Sequence, residues 1–197
     1  MGNVDTSMYN HTPDWLIPLT DKGRKQAEEA ASLLHSRVMG GSTSKGILAA
    51  SLTTDKFDDD AFIYCSPWLR ARQTAEPFKK LFNVVKYYED PRLREQEWGN
   101  FRENEIALKI EKERYKFGPF FYRMPYGESG ADVYDRISTF LESLYRDFRK
   151  QELQENVIIV SHGLTIKTFL MRWFHWTVEE FDNFKTPRNC EILQMTL

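Results

Sequence analysis

The sequence predicts an α/β fold, a three-layer sandwich with a mostly parallel central sheet, and three observations carry that prediction. "AFIYCS", "VVKYYE" and "VIIVS" are short apolar runs rich in β-branched and aromatic residues, as buried strands are. Between them lie segments whose apolar residues recur at helical spacing. Strands that alternate with helices place those helices on both faces of a parallel sheet. With 197 residues, 41% hydrophobic and 14% aromatic, the chain can bury one sizeable core and fits a single domain over residues 1–197, with no internal repeat.

The elements follow in chain order. Gly23, Ala27, Ala30 and Leu34 form one small-residue helical face, with Thr20 as its cap. "MGGSTSKGILAASLTTDKFDDD" is too polar for core and reads as a surface insertion near 39–60. After the first strand, Pro67 sits where a helix opens, and "LRARQTAEPFKKLF" continues it until Pro77 kinks or ends it. "VVKYYE" is the next strand. Ser129 and Asp132 make a capping-box pattern before Val133, Ile137, Phe140, Leu141, Leu144 and Phe148, which predicts an amphipathic helix from about 129 to 150. "VIIVSHGLTIKTFLMRWF" reads as strand, tight turn and helix, and "EILQMTL" as a last strand.

Composition narrows the function classes. A net charge of −2 leaves no electrostatic footprint for nucleic acid or an acidic membrane. Cys65 and Cys190 are too few for a disulfide scaffold and lack zinc-ligand spacing, so both read as reduced thiols. No apolar run approaches a membrane helix, and the amino terminus is polar. The expectation is a cytoplasmic protein without nucleic-acid or membrane partners.

His162 falls at the carboxyl end of a buried strand and the amino end of a helix. Open α/β sheets bind ligands there, and backbone amides favour anions. Arg70 and Arg72 occupy the first turns after another strand, where a guanidinium can grip phosphate oxygens. "LREQEWGN" adds Glu95 and Glu97 after a loop, and "RMPYGESGADVYDR" brings Arg123, Gly127 and Glu128 to a further helix start. Cations to hold oxygens and an acid to protonate a leaving group are the parts of metal-free phosphoryl transfer. Taken singly, each has a plainer reading: His162 as a turn or core histidine, one of Arg70 and Arg72 as solvated helix face, Glu97, His11, His35 and His175 as surface or packing. The aromatics of "FGPFFYRMPYG" and "RWFHWTVEEF" read as core and helix packing.

The combination resembles the histidine phosphatase superfamily, with its phosphoglycerate-mutase-like fold, over essentially the whole chain. "LTDKGRKQA" matches its LTxxGxxQA helix, "SPWLRARQTA" its SPxxRAxQTA segment, "LREQEWGNF" its acid-bearing loop, "YGES" its GES turn and "VSHG" its second-histidine motif. "REQEWGNF", "GPFFYRMPYGESGADVYDR" and "FLMRWFHWTVEEF" look most like the broad-range acid phosphatase branch, which acts on small phosphorylated metabolites. The resemblance implies that no metal or cofactor is needed. It makes His162 the second histidine that holds phosphoryl oxygens, Arg70 the arginine beside it and Glu95 the proton donor. Asn3, Arg123, Glu128 and Gly163 become the candidate substrate contacts.

The resemblance also implies a nucleophilic histidine in an RHG motif, at the end of a first strand that lies mid-sheet beside the strand ending at His162. Here the sequence begins Met1, Gly2, Asn3, and Gly2 and Asn3 look like the last residues of RHGESxGN. The expectation is therefore a domain truncated at its amino terminus, lacking that strand and its nucleophile. His11, on a loop, is a poor substitute because a nucleophile needs rigid support. The expected function is a metal-independent phosphatase that works through a phosphohistidine, on a small phosphorylated substrate or with inorganic phosphate as ligand, and is inactive in this form. The alternatives are a catalytically dead anion-binding module and a phosphoglycerate-type phosphomutase.

Overall fold

The structure, a computed structural model, describes residues 8, 11–39, 59–99, 104–149 and 156–195, the side chains of 104–108 excepted. Its elements are α1 (Asp21–Met39), β1 (Asp60–Cys65), α2 (Leu69–Leu81), β2 (Asn83–Glu89), α3 (Asn104–Phe117), α4 (Gly130–Arg149), β3 (Asn156–Val160), α5 (Gly163–Phe174) and α6 (Val178–Asn183). The three strands form a parallel sheet in the order β2-β1-β3. It is an α/β fold with helices on both faces, as the alternation requires.

β1 is the middle strand, and its side chains divide the core. Ala61, Ile63 and Cys65 point to one face, where they pack with Ala30 and Ala31 of α1 and with Ala71, Ala75 and Phe78 of α2. Tyr64 points to the other, against Phe140 and Ile137 of α4 and the α5 residues Phe169 and Leu170. Period-two alternation thus feeds two helical layers from one strand. The small residues of α1 and α2 keep both helices close to the sheet. β2, at the edge, is mostly exposed, and Lys86 and Glu89 lie on it.

Two expectations about elements are corrected. Pro77 does not end α2, which runs one turn further to Leu81. Ala75 and Phe78 on either side are buried, and that packing outweighs the backbone hydrogen bond lost at the proline. The predicted strand over "EILQMTL" does not form over 191–195; the remaining two residues lie outside the described set. Instead a turn runs from Arg188 to Glu191, closed by Glu191 N donating to Arg188 O at 3.1 Å and Arg188 N donating to Glu191 Oε2 at 2.7 Å. Cys190 within it has φ 57°, which swings the backbone away from a ladder. The helix α6 was not expected, although Thr177 and Glu180 give it a reciprocal capping box.

The predicted caps are present elsewhere. Thr20 Oγ1 accepts from Gly23 N at 3.0 Å, and Ser129 and Asp132 bond each other's amides at the start of α4. Of the expected polar insertion, only the edges are described: Met39 ends α1 and Asp60 already belongs to β1.

Among the described residues β3 pairs only with β1. Its other edge borders a cleft of about 2070 Å³, lined by Val157 and Ile159 of β3, Leu34 of α1, Phe148 of α4, and Ile192 and Met195. The resemblance puts a further strand along that edge, and the cleft continues from it past His162. Among the described residues no helix is long and apolar enough to cross a membrane.

Candidate active site

The carboxyl ends of β1 and β3 lie side by side, joined by Ser66 N donating to Val160 O at 2.9 Å. Ser66 leaves β1 and His162 leaves β3, so two neighbouring strand ends aim their side chains at one place. His162 Nε2 is 2.7 Å from Ser66 Oγ, and its ring meets Trp68 edge-on at 5.1 Å. The residue is only 8% exposed. Burial, helped by the charges of Arg70 and Arg136, holds its pKa well below the usual imidazole value. The ring is therefore neutral at physiological pH, one nitrogen a donor and the other an acceptor.

Arg70, in the first turn of α2, lies over the Trp68 ring at 4.4 Å. Its Nη1 donates to the Asp14 carbonyl at 2.9 Å and to the Asp14 carboxylate at 2.8 Å. The guanidinium is thus positioned by a short 3-10 turn, Asp14–Leu16, with other donors left for a ligand. Arg72 is not a solvated helix face: it is half-buried, and its Nε is enclosed without a partner.

Glu95 follows the turn Pro91–Leu93. Burial raises its pKa, and this outweighs the Gln96 amide, the Arg70 charge, the Leu164 amide and Thr165, which pull the other way. Gln96 N donates to its Oε1 at 3.0 Å, and Thr165 Oγ1 lies 3.3 Å from the same oxygen. A carboxyl group whose burial favours the protonated form suits a proton donor. Arg70, Glu95, His162 and Gly163 all line the one cleft. At Gly163 a Cβ would stand 2.7 Å from Thr186 Cγ2, so only glycine fits this helix start without displacing Thr186.

The structure does not bring the other candidates to this point. Glu128 accepts from Arg94, from Arg136 through Nε at 3.1 Å and Nη2 at 3.2 Å, and from Glu97 N at 3.1 Å. Its carboxylate fixes the Glu95 loop rather than facing the cleft. Its backbone joins the same zipper, with Gln96 Nε2 donating to Glu128 O at 2.6 Å and Glu128 N to Glu97 O at 2.9 Å. Gly127 is required there because a Cβ would collide with the Glu97 carbonyl and with Gly99 N. Arg123 is exposed and bonds Asp132 at 2.6 Å. Glu97 is exposed at the cleft rim, and His11 is exposed in a turn. Asn3 lies outside the described residues.

Asp14, Ser66, Arg136 and Thr165 adjoin the candidate site although the sequence reading does not single them out. Ser66 stands inside the quoted "SPWLRARQTA" and so had a signal, whereas Arg136 lies too far along the chain from Glu128 for spacing to pair them. Asp14 and Thr165 meet their partners across long sequence separations and had none. Together the group offers one cation, a neutral imidazole backed by a hydroxyl, and a half-buried acid. That set can hold an oxyanion and deliver a proton to it. Among the described residues no three His, Cys, Asp or Glu side chains gather as metal ligands would.

Comparison with known proteins places this geometry. The family model described as "Histidine phosphatase superfamily (branch 1)" matches residues 7–197. The chain is 42% identical over 205 residues to the phosphoglycerate mutase-like protein AT74 of Arabidopsis thaliana, covering 100% of this chain and 61% of that protein. It is also 42% identical over 121 residues to the broad-range acid phosphatase DET1 of Saccharomyces cerevisiae, covering 60% of this chain and 36% of that one. The chain thus spans about three-fifths, or less, of these relatives. A mycobacterial glucosyl-3-phosphoglycerate phosphatase, solved with inorganic phosphate, superposes with a TM-score of 0.64 at 20% identity, over 87% of this chain and 76% of that one. The extent of the family match, with the strand-end histidine and its neighbours in place, makes this chain a member of the histidine phosphatase superfamily.

Proposed function

We propose that this chain carries the phosphate-holding and proton-donating half of a metal-independent phosphatase for small phosphorylated metabolites. The observation that carries the proposal is the meeting of Arg70, neutral His162 and Glu95, with its raised pKa, at one end of the cleft. In the reaction, a histidine nitrogen attacks phosphorus and the ester P–O bond breaks. Glu95 gives its proton to the departing oxygen. Water, deprotonated by Glu95, then attacks the phosphohistidine and releases inorganic phosphate. His162 and Arg70 hold the non-bridging oxygens throughout.

His162 is not that nucleophile on this account: the resemblance makes it the second histidine, which holds phosphoryl oxygens, and Ser66 Oγ meets its Nε2. The attacking histidine belongs on a strand lying along the open edge of β3, in the cleft that leads to His162. Without it, the remaining groups bind and polarise a phosphoryl group but cannot form the covalent intermediate. The likeness to a broad-range acid phosphatase favours phosphomonoester hydrolysis over a mutase reaction. We place the protein in the cytoplasm, with small phosphorylated ligands as its partners.

The test compares residues 1–197 with the same chain preceded by an apolar strand ending in Arg-His-Gly, on a chromogenic phosphate ester at equal folded concentration. The short chain should stay near background and the extended one should turn over several orders of magnitude faster. Family-like turnover by the short chain would overturn the assignment. Its loss in His11→Ala would then identify His11 as the nucleophile.

A further inference from the structure

A second pocket lies between β1, β2 and α4. The pairing of β1 with β2 shifts register once, between Ala61 and Phe62, so that Phe62 stands beside Lys86 and Tyr64 beside Tyr88. Phe140 of α4 meets Tyr64 edge-on at 5.5 Å, and Tyr88 stacks on Tyr64 at 5.8 Å. These four rings and Asp147 of α4 line a pocket of about 210 Å³. Phe62, Tyr64 and Phe140 are buried, whereas Tyr88 is exposed at the rim. None of Arg70, Glu95 and His162 lines it.

Its charges and rings select a cation. Three of the rings already face one: the Lys86 ammonium stands 4.6 Å from the centre of Tyr88 and 5.6 Å from that of Phe62, and Arg92 lies 5.4 Å from that of Phe140. Arg92 is committed to Asp90 at 2.6 Å, to Thr139 O at 2.8 Å and to Ser143 Oγ at 2.9 Å. Asp147 accepts from the Tyr64 hydroxyl at 3.0 Å and forms no ion pair among the described residues. Around the pocket the two cations Lys86 and Arg92 stand against three carboxylates, those of Glu89, Asp90 and Asp147. An anion would meet that excess and the negative faces of the rings. A metal ion would lack oxygen ligands, since among the described residues no three acidic, histidine or cysteine side chains gather.

Lys86 shows what the rings accept, and it holds the place weakly. It is exposed on the edge strand, and its ammonium is a strongly hydrated charge on a flexible stem. A methylated ammonium gives up less hydration and turns apolar surface to the rings. The volume suits a headgroup, being below the roughly 300–1,000 Å³ of pockets for drug-sized ligands. We propose that this pocket binds a quaternary ammonium group, which displaces Lys86 from the rings and pairs with Asp147. The site shares no residue with the phosphoryl-holding group and stands or falls apart from it.

The test titrates the full chain with choline at constant ionic strength, following the ring signals of Tyr64 and Tyr88 and the Lys86 ε-methylene by NMR. Binding in the millimolar range is expected, with the Lys86 methylene released from the ring currents. The uncharged isostere dimethylbutanol, with carbon in place of the nitrogen, should bind about tenfold more weakly or worse. Lys86→Ala should tighten choline by about fivefold, because the internal competitor is gone. Asp147→Asn and Tyr88→Leu should each weaken it by about tenfold, and circular dichroism checks that every variant is folded. Ring signals indifferent to choline, equal affinity for the isostere, no tightening in folded Lys86→Ala, or unchanged affinity in folded Tyr88→Leu would overturn the site. If Asp147→Asn fails to fold, the isostere and the two rim variants decide it.

Discussion

Two groups of charged residues interleave at residues 94–97, where Glu95 of one stands between Arg94 and Glu97 of the other, and the fold treats them differently. In the first, Glu128 takes Arg94, Arg136 and the Glu97 amide, so that its carboxylate is saturated and ties the 94–99 loop to the start of α4. In the second, Arg70, Glu95 and His162 keep capacity in reserve. Arg70 spends one nitrogen on Asp14, Glu95 is buried against its own ionisation, and His162 is neutral beside Ser66. Saturated charges build a frame, whereas charges held short of satisfaction can meet a ligand. The frame is what keeps the second group in that condition.

Removing the frame's centre should have the largest effect. Glu128→Ala would leave Arg136, whose side chain is only 10% exposed, without its carboxylate. A cost of about 3–5 kcal/mol is expected, read by urea denaturation. A loss under about 1 kcal/mol would mean the ion pairs are not what holds the loops. Gly127→Ala attacks the same zipper by sterics, since its Cβ meets the Glu97 carbonyl, and should cost about 1–3 kcal/mol.

The cleft group should respond in the opposite sense. The pKa of Glu95 is raised in the folded state, so its stabilising contribution is complete below its ordinary value near 4.5 and is lost as pH rises through the folded value. At neutral pH, Glu95→Gln should therefore raise the melting temperature by about 2–4 °C, a gain that fades as pH falls towards 4.5. In the extended, active chain the same change should slow poor leaving groups far more than activated aryl phosphates. A melting temperature lowered at neutral pH would count against the buried-acid reading. The smallest effect is expected at the latch: Asp14→Asn should tighten inorganic phosphate by up to about fivefold, because the pair it breaks is partly exposed.

The sequence made the sheet and the strand-end positions legible because hydrophobic period and cap chemistry are local. "VIIVSHG" announces both a strand and the place where its histidine must stand, and Ser129 with Asp132 announces the start of α4. The sorting of charges was not legible. Arg123 and Glu128 stand in a motif-bearing stretch just as Glu95 does, and only three-dimensional pairing shows that Glu128 is saturated and Arg123 is bound to Asp132 at the surface. Asp14 reaches Arg70, and Thr165 reaches Glu95, across the chain, where spacing carries no signal. The last strand misled because alternating apolar residues in "EILQMTL" do not reveal the turn at Cys190 that removes them from the ladder.

The structure of the full chain bound to orthovanadate tests the central claim most directly. The account predicts one oxyanion at the strand ends, within hydrogen-bonding distance of the Arg70 guanidinium and the His162 ring, with Glu95 beside it. An oxyanion seated on another face, with Arg70 and His162 both uninvolved, would contradict it.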